Sequence, residues 1–517
     1  MTADPSSELR RADTLHRGKQ YVLAVEAYRS ALTGDATLLD AWYGLGCAQS
    51  ALQAYGAAAD ALRRAVELRP DANGARCGLA EALFQLGEVD AAMAEFERVA
   101  GVDDPEIRAI ALSNLACIAP GSARCDNAGV LAVRRRWADF VGGEPSVVRP
   151  VTAHKKLRIG YLSAFFGARN WMKFVWGVIN HHDRDRFEIH LLSDGGDPSA
   201  ESGYIDDDED RIWQIKGLPN TALARHIAEA ELDVLVDLNG YSVLSRFPVF
   251  RHRPAPLQIC WMNMYGTTGF PEIDYVVGDN AVIPPEEERF YSERVVRVPG
   301  SYLAFTILYP VPDVAPPPCV GAGQVTFGCL ASPYKLNEAS VAAYARILHG
   351  APDSRLLLRN QLLGEASNRA ALLQRFGRNG IAGERLLLEG GAEHFEFLRT
   401  YDRVDVALDT FPYSGGTTTA EALWQGAPTL TFNGDRWASR TSRSLMLAAG
   451  LGEFVAADQA GFEAAAIALA TAPDTPARLS ALRAGMRERL RASAACDVET
   501  LCHSLEALYE SAARQRR

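Results

Sequence analysis

"SGGTTTAEALWQGAP" occupies residues 414–428, where two glycines and three threonines stand directly before a run of strong helix formers. Three threonines in succession are unfavourable inside a helix, so we place them at its start. The preceding residues, "VDVALDTF" (404–411), have the apolar character of a buried strand. The sequence therefore predicts a strand, a glycine loop and a helix whose first N–H groups are unpaired.

Such a helix start predicts a phosphate-binding site. Gly415 and Gly416 allow a ligand to approach the backbone closely, and the helix dipole favours negative charge there by roughly 0.3–1 kcal/mol. Glu421, one turn into the helix, is placed to accept the two hydroxyls of a ribose. The alternative is a simple helix cap, but one cap hydroxyl suffices and needs neither glycine. Three hydroxyl donors stand at the same place: Thr417, Thr418 and Thr419.

Two series of short apolar segments make up most of the chain. The first extends from "LRIGYLSAFF" (157–166) to "IDYVVGDN" (273–280), and the second from "VTFGCL" (325–330) to "PTLTF" (428–432). Helical or loop stretches separate the segments, which predicts βα units and mostly parallel sheets. A proline-rich link, "YPVPDVAPPP" (309–318), lies between the series. Because ligands bind at the carboxyl ends of such strands, we expect a cleft between two Rossmann-like halves.

A repeat with a period of 34 residues precedes both series. Small residues recur at Ala24, Ala58 and Ala92, and a large residue follows each of them by four positions. This pattern is typical of tetratricopeptide repeats, in which two helices pack closely at the small residues. We therefore predict an α-helical solenoid, with an unrelated amphipathic helical array as the alternative.

The predicted fold is thus α followed by α/β. Its boundaries are 1–102 for the repeats, 103–156 for a partial repeat and a linker helix ending near "FVGGEPS" (140–146), 157–318 and 319–475 for the two Rossmann-like halves, and 476–517 for C-terminal helices.

Composition narrows the class of protein. The net charge of −11 over 517 residues disfavours a general nucleic-acid binder. Nine cysteines without a C-x-x-C pair indicate reduced thiols in the cytoplasm, and we expect no metal site. The sequence shows no signal peptide and no run of about 18 apolar residues, so we expect no membrane span.

The glycine–threonine loop differs from the common nucleotide-binding motifs. A Walker loop ends in a lysine followed by serine or threonine, and this loop has no such pair. The loop also lacks the G-x-G-x-x-G pattern and does not lie at the first βα turn. These differences disfavour a nicotinamide-dependent dehydrogenase. A nucleoside diphosphate bound by the second of two Rossmann-like domains is typical of GT-B glycosyltransferases instead.

The stretch 409–451, "DTFPYSGGTTTAEALWQGAPTLTFNGDRWASRTSRSLMLAAGL", resembles the C-terminal half of the O-GlcNAc transferase and SPINDLY-type glycosyltransferase family. "LRIGYLSAFF" (157–166), "DLNGYS" (237–242) and "SPYKLN" (332–337) resemble the same family, as do repeats placed before a GT-B pair. The resemblance implies transfer of a sugar to serine or threonine hydroxyls of a protein. The sugar it favours is N-acetylglucosamine, with UDP-GlcNAc as the donor. It further implies an inverting reaction without metal or other cofactor, and repeats that bind the protein or peptide acceptor.

The resemblance also assigns roles to residues. Lys335 would neutralise charge on the departing diphosphate, and Tyr334 beside it would contact sugar or phosphate. A solvated lysine at a helix start is the alternative, although positive charge is unfavourable there. Asp237 and Asn239 follow a strand of the first half, where the family has acceptor and sugar contacts, and a structural turn is equally compatible. His394 resembles the histidine that contacts the base in the family. In this chain, however, Phe397 occupies the position where that histidine usually stands.

Two further charged patterns have a functional and a structural interpretation. "DDDED" (206–210) contains the D-x-D of metal-dependent transferases, but it follows a loop, so we expect a solvated acidic loop. Arg436, Arg440 and Arg443 have helical spacing and could line the diphosphate region, but we expect a solvated face.

Several residues depart from the family pattern. Arg169 and Asn170 stand where many members have an active-site histidine, and Gly416 stands where animal members have one. These differences leave other donors open, such as a UDP-hexose, GDP-fucose or another activated sugar. They also leave open a non-catalytic interaction protein whose transferase region is a relic.

Overall fold

The structure is a computed structural model that describes residues 4–142, 151–152 and 154–516. The predicted end of the linker helix falls partly on 143–146, outside these residues. Among the described helices, none combines the length with the apolar character needed to cross a membrane.

Helix pairs form the N-terminal part, as the 34-residue period predicts. The small residues of the repeat are fully buried at the helix contacts, and a Cβ at Gly44 would overlap the ring of Tyr28. Because glycine lets the helices Tyr21–Gly34 and Leu39–Ala51 approach this closely, the aromatic ring fits between them. The helices are α1 Pro5–Arg17, α2 Tyr21–Gly34, α3 Leu39–Ala51, α4 Tyr55–Leu68, α5 Asn73–Gln85, α6 Val89–Val99, α7 Pro105–Ile118 and α8 Asn127–Val141.

The first Rossmann-like half contains a parallel sheet of seven strands in the described residues, in the order β3-β2-β1-β4-β5-β6-β7. The central strands are buried on both faces, which explains their continuous apolar sequences. The strands are β1 Leu157–Ser163, β2 Phe187–Ser193, β3 Arg211–Gln214, β4 Val234–Asp237, β5 Leu257–Cys260, β6 Tyr275–Asp279 and β7 Arg294–Val298. The helices are α9 Arg169–Met172, α10 Trp176–His181, α11 Asn220–Glu229 and α12 Phe247–Arg251.

The second half contains a parallel sheet of six strands in the described residues, in the order β10-β9-β8-β11-β12-β13. Its strands are β8 Thr326–Cys329, β9 Arg355–Arg359, β10 Leu386–Glu389, β11 Val406–Leu408, β12 Thr429–Phe432 and β13 Val455–Ala456. The remaining helices are α13 Cys319–Ala322, α14 Glu338–Gly350, α15 Ala366–Arg378, α16 His394–Leu398, α17 Thr417–Trp424, α18 Thr441–Ala448, α19 Gln459–Thr471, α20 Thr475–Arg491 and α21 Val498–Arg516. The predicted fold, a helical repeat array before two Rossmann-like halves, is confirmed.

The last helix returns to the first half. The hydroxyl of Tyr509 on α21 lies 3.0 Å from that of Tyr161 on β1, and the carboxylate of Glu506 lies 3.0 Å from Nδ1 of His182. The chain therefore crosses between the halves twice, and α21 ties its end to the first sheet.

Buried arginines join the parts of the molecule. Arg375 on α15 donates to the carbonyl of Leu86 in the repeats at 2.7 Å and to that of Leu336 at 2.6 Å. Arg436 donates to the carbonyl of Ser122 at 2.9 Å, and Arg440 pairs with Glu287 of the first half at 2.7 Å. Arg436 and Arg440 are 4% and 7% exposed, so the solvated face expected for them is wrong. Their helical spacing is also broken, because α18 begins only after Arg440.

Arg375→Ala tests the contact between the repeats and the second half. The substitution leaves the half-buried carbonyl of Leu86 and the buried carbonyl of Leu336 without this donor. We therefore expect a loss of about 1–3 kcal/mol of unfolding free energy. Thermal denaturation followed by circular dichroism would measure it. Arg378→Ala on the same helix is the matched control, because Arg378 is exposed and bonds only Gln374 among the described residues. Equal melting temperatures for the two variants would contradict the assigned role.

Candidate active site

A cavity of about 1120 Å³ lies where the carboxyl ends of the two sheets face each other. Its walls include segments 167–171, 330–332, 334–335, 360–361, 391–395 and 416–418, with Phe397 and Glu421. Each segment follows a strand, which is where parallel α/β sheets bind ligands. The predicted residues that line the cavity are Tyr334, Lys335, His394, Gly416, Thr417, Thr418 and Glu421. Four others do not line it: Asp237, Asn239, Gly415 and Thr419.

The start of α17 opens into this cavity. Gly416 occupies the N-cap position, and the first N–H groups of a helix have no partner within it. Thr417 and Thr418 line the wall beside them. Thr419 differs, because its hydroxyl is buried against that of Ser442 at 2.8 Å. Two of the three threonine side chains therefore remain for a ligand.

The glycine loop is held from beneath by Asp409, which the sequence analysis did not select. The N–H of Gly415 donates to its carboxylate at 2.7 Å, and the hydroxyl of Thr431 does so at the same distance. Burial raises the pKa of Asp409 to about 6. The N–H of Gly415 is thus used within the protein. An aspartate at a strand end directly before a glycine loop is the signal that would have identified it.

Lys335 lies half-buried in the cavity wall, on the loop after β8. Its ammonium donates to the carbonyl of Ser414 at 2.8 Å and lies 4.3 Å from the centre of the Tyr413 ring. Burial lowers the pKa of Lys335 to about 8, although Asp409 favours the charged form. The lysine therefore brings a positive charge to the loop that precedes α17.

Glu421 also has a partner that the sequence analysis missed. The ammonium of Lys173, in the first half, lies 2.6 Å from Oε1 of Glu421. Nε2 of His394 lies 3.9 Å from the same oxygen and has no hydrogen-bond partner among the described residues. Burial lowers the pKa of His394, which favours the neutral imidazole. Lys173 gave no sequence signal, because only the packing of the two halves places it here.

Asp237 and Asn239 are buried and serve the loops of the first half. The carboxylate of Asp237 accepts the N–H of Gly240 at 2.8 Å and that of Asn239 at 3.1 Å. Asn239 accepts the N–H of Ala164 at 2.8 Å, directly before the loop that leads to segment 167–171. Both side chains thus support the cavity from behind, as in the structural alternative considered for them, and neither lines it.

Two residues that depart from the family pattern line the cavity, Arg169 and Asn170. Arg169 is exposed and forms no hydrogen bond or ion pair with other described residues. Phe397 lines the same cavity beside His394. An unpaired guanidinium, a lysine and an open helix start together make this wall suitable for an anion.

The acidic loop lies elsewhere. Asp210 pairs with Arg184 at 2.8 Å, and the segment 206–210 does not line the cavity. Among the described residues, His182, Cys502 and Glu506 form a group with ligand atoms close enough to hold a metal ion. This group is buried at the contact of α21 with the first half, and its members are bonded to one another.

Comparisons of sequence and of structure relate this chain to known proteins. A model of glycosyl transferase family 41 matches residues 146–306 and 321–505, and a tetratricopeptide repeat model matches residues 50–114. The probable UDP-N-acetylglucosamine–peptide N-acetylglucosaminyltransferases SPINDLY of Hordeum vulgare and Arabidopsis thaliana are 32% and 30% identical over 367 and 368 residues, 70% of this chain and 39% of each relative. The chain thus spans about two-fifths of the length of the curated relatives it matches.

A solved structure extends the match to the whole chain. It is a lysine-to-methionine variant of the O-GlcNAc transferase from Thermobaculum terrenum, with 30% identity and a TM-score of 0.81. The alignment covers 100% of this chain and 99% of that one.

Titration of Lys335 tests the electrostatics of the cavity. We expect its ammonium to lose its proton near pH 8, because burial destabilises the charged form. NMR of protein labelled with ¹⁵N-lysine would follow this, and Lys335→Arg would assign the signal. Asp409→Asn should lower the pKa further, since it removes a nearby anion. A midpoint near the ordinary 10.5 would contradict the described environment.

Proposed function

We propose that this chain, which belongs to glycosyl transferase family 41, transfers a sugar from a nucleoside diphosphate to serine or threonine hydroxyls of a protein. N-acetylglucosamine from UDP-GlcNAc is the proposed donor group, since the relatives are named for that reaction. The observation that carries the proposal is the Lys335 ammonium beside the open start of α17 in one cavity.

The diphosphate of the donor binds at this wall. The first N–H groups of α17 and the hydroxyls of Thr417 and Thr418 donate to its oxygens. Lys335 lies beside the β-phosphate and Tyr334 beside the sugar. The neutral form of Lys335 has no charge to offer, so donor affinity falls as the pH rises through about 8.

Transfer proceeds by direct displacement. The acceptor hydroxyl attacks the anomeric carbon from the side opposite the diphosphate and releases its proton to solvent. The bond from that carbon to the β-phosphate oxygen breaks, the nucleoside diphosphate leaves, and the configuration inverts. Negative charge grows on the leaving diphosphate, where Lys335 and the helix start stabilise it most in the transition state. These groups supply the positive charge for which metal-dependent transferases use a metal ion. We therefore propose a reaction without metal or resident cofactor.

The remaining walls recognise the rest of the donor and the acceptor. Glu421 accepts hydroxyls of the ribose, and His394 and Phe397 face the base. Asp237 and Asn239 act by holding the loop after β1. The repeats reach the rim of the cavity, where Phe84 stacks on Tyr334 with ring centres 4.9 Å apart. A protein segment bound by the repeats therefore enters close to the sugar.

We also propose a cytoplasmic location for the reaction.

A labelled-donor assay tests the function. Full-length protein is incubated with radiolabelled UDP-GlcNAc, a UDP-hexose or GDP-fucose and with candidate acceptor proteins in EDTA. We expect label on protein from one donor. Lys335→Met should lower the single-turnover rate far more than the calorimetric affinity for the nucleoside diphosphate, because charge develops only in the transition state. Asp206→Ala with Asp208→Ala is the control and should keep full activity.

Three outcomes would contradict parts of the proposal. Activity only with added Mn²⁺ would overturn the metal-free reaction. Nucleotide binding without transfer or donor hydrolysis would favour a non-catalytic interaction protein. Transfer from GDP-fucose alone would replace the proposed donor.

The threonines allow a matched comparison at the helix start. Thr418→Ala removes a hydroxyl from the cavity wall, and we expect nucleotide affinity to fall roughly tenfold to a hundredfold, as loss of a hydrogen bond to a charged group predicts. Thr418→Ser should restore most of it. Thr417→Asp should abolish binding without unfolding, since acids suit helix starts.

Thr419→Ala is the control in the same run. It should leave affinity closer to that of the native protein, because its hydroxyl bonds Ser442. Calorimetry would measure the four variants. Normal binding by Thr417→Asp would show that the loop is only a helix cap.

A further inference from the structure

A buried ion pair joins the two Rossmann-like halves at the cavity wall. Lys173 lies between α9 and α10 in the first half, and Glu421 lies on α17 in the second. The two side chains are 0% and 3% exposed, and their charged atoms are 2.6 Å apart. The residues are separated by 248 positions in the chain, so only the packing of one half on the other brings them together.

The pair leaves part of the carboxylate free for a ligand. Among the described residues, Lys173 is the hydrogen-bond donor to the Glu421 side chain, and it uses Oε1. Oε2 has no such donor there, and Glu421 lines the cavity. An ionised carboxylate offers several acceptor positions, so the lysine does not exhaust them.

Each member of this pair depends on the other. Burial lowers the pKa of Lys173, and Glu421 opposes that shift by favouring the ammonium. Removal of the lysine would leave this nearly fully buried carboxylate without the cation and the hydrogen bond that fix its orientation.

We propose that Lys173 is a positioning residue whose ammonium orients the carboxylate of Glu421 to accept the 2′ and 3′ hydroxyls of the donor ribose. The inference rests on the proposed function, because it concerns the same nucleotide. It makes recognition of the ribose a property of both halves together. A ribonucleoside diphosphate is then selected over its deoxy counterpart only when the first half is packed on the second.

The ratio of two affinities tests this role. Calorimetry on the full chain would compare UDP with 2′,3′-dideoxy-UDP, and GDP with its dideoxy analogue. We expect the native protein to prefer the ribonucleotide by roughly tenfold to a hundredfold, as hydrogen bonds to a charged group predict. Glu421→Gln and Lys173→Met should both bring the ratio toward one. Lys173→Arg keeps the charge and should retain most of the preference.

The control is Lys335→Met, which weakens binding of both nucleotides and leaves their ratio unchanged. If Lys173 had a merely structural role, its variants would likewise weaken binding of both nucleotides and leave the ratio of the two affinities unchanged. Lys173→Gln also removes the ammonium and replaces the methionine variant if that one does not fold. A native ratio in the neutral Lys173 variants overturns the inference alone, whereas a native protein that binds neither UDP nor GDP overturns the proposed function as well.

Discussion

The hydrogen bond from the N–H of Gly415 to the buried carboxylate of Asp409, 2.7 Å long, determines the shape of the site. A carboxylate removed from water requires donors, and the glycine loop supplies one by bending back over the end of its strand. The bend directs the start of α17 into the cavity and brings the carbonyl of Ser414 within 2.8 Å of Lys335. Asp409, which does not line the cavity, thereby influences the position of Lys335, which does.

Directional polar contacts keep the two halves face to face. Lys173 and Glu421 meet at the cavity wall, Tyr161 and Tyr509 hold α21 on the first sheet, and Arg375 joins the repeats to the second half. Buried polar networks whose hydrogen bonds are all formed specify one arrangement of the parts, because each hydrogen bond forms only in a narrow range of geometries. The same arrangement forms the cavity, so stability of the assembly and recognition of a ligand depend on the same contacts.

Sequence patterns predicted the features that depend on local order. The 34-residue period places Ala24, Ala58 and Ala92 at buried helix contacts, and the strand–glycine–threonine order places Thr417 at a helix start. Such patterns follow from side-chain periodicity within one element, which neighbouring residues determine. They were wrong for Arg436 and Arg440, whose helical spacing suggested solvent although both side chains bridge parts of the molecule.

The sequence by itself thus determined the order of domains, the two parallel sheets and the loop that ends at α17. Only the tertiary structure decided which side chains of those loops reach the cavity. It directs Thr418 toward the cavity and Thr419 toward Ser442, it uses Asp237 and Asn239 to hold a neighbouring loop, and it brings Lys173 to Glu421. The reason is that these contacts join residues distant in the chain, and a buried polar group takes whichever partner the packing of the two halves places within reach.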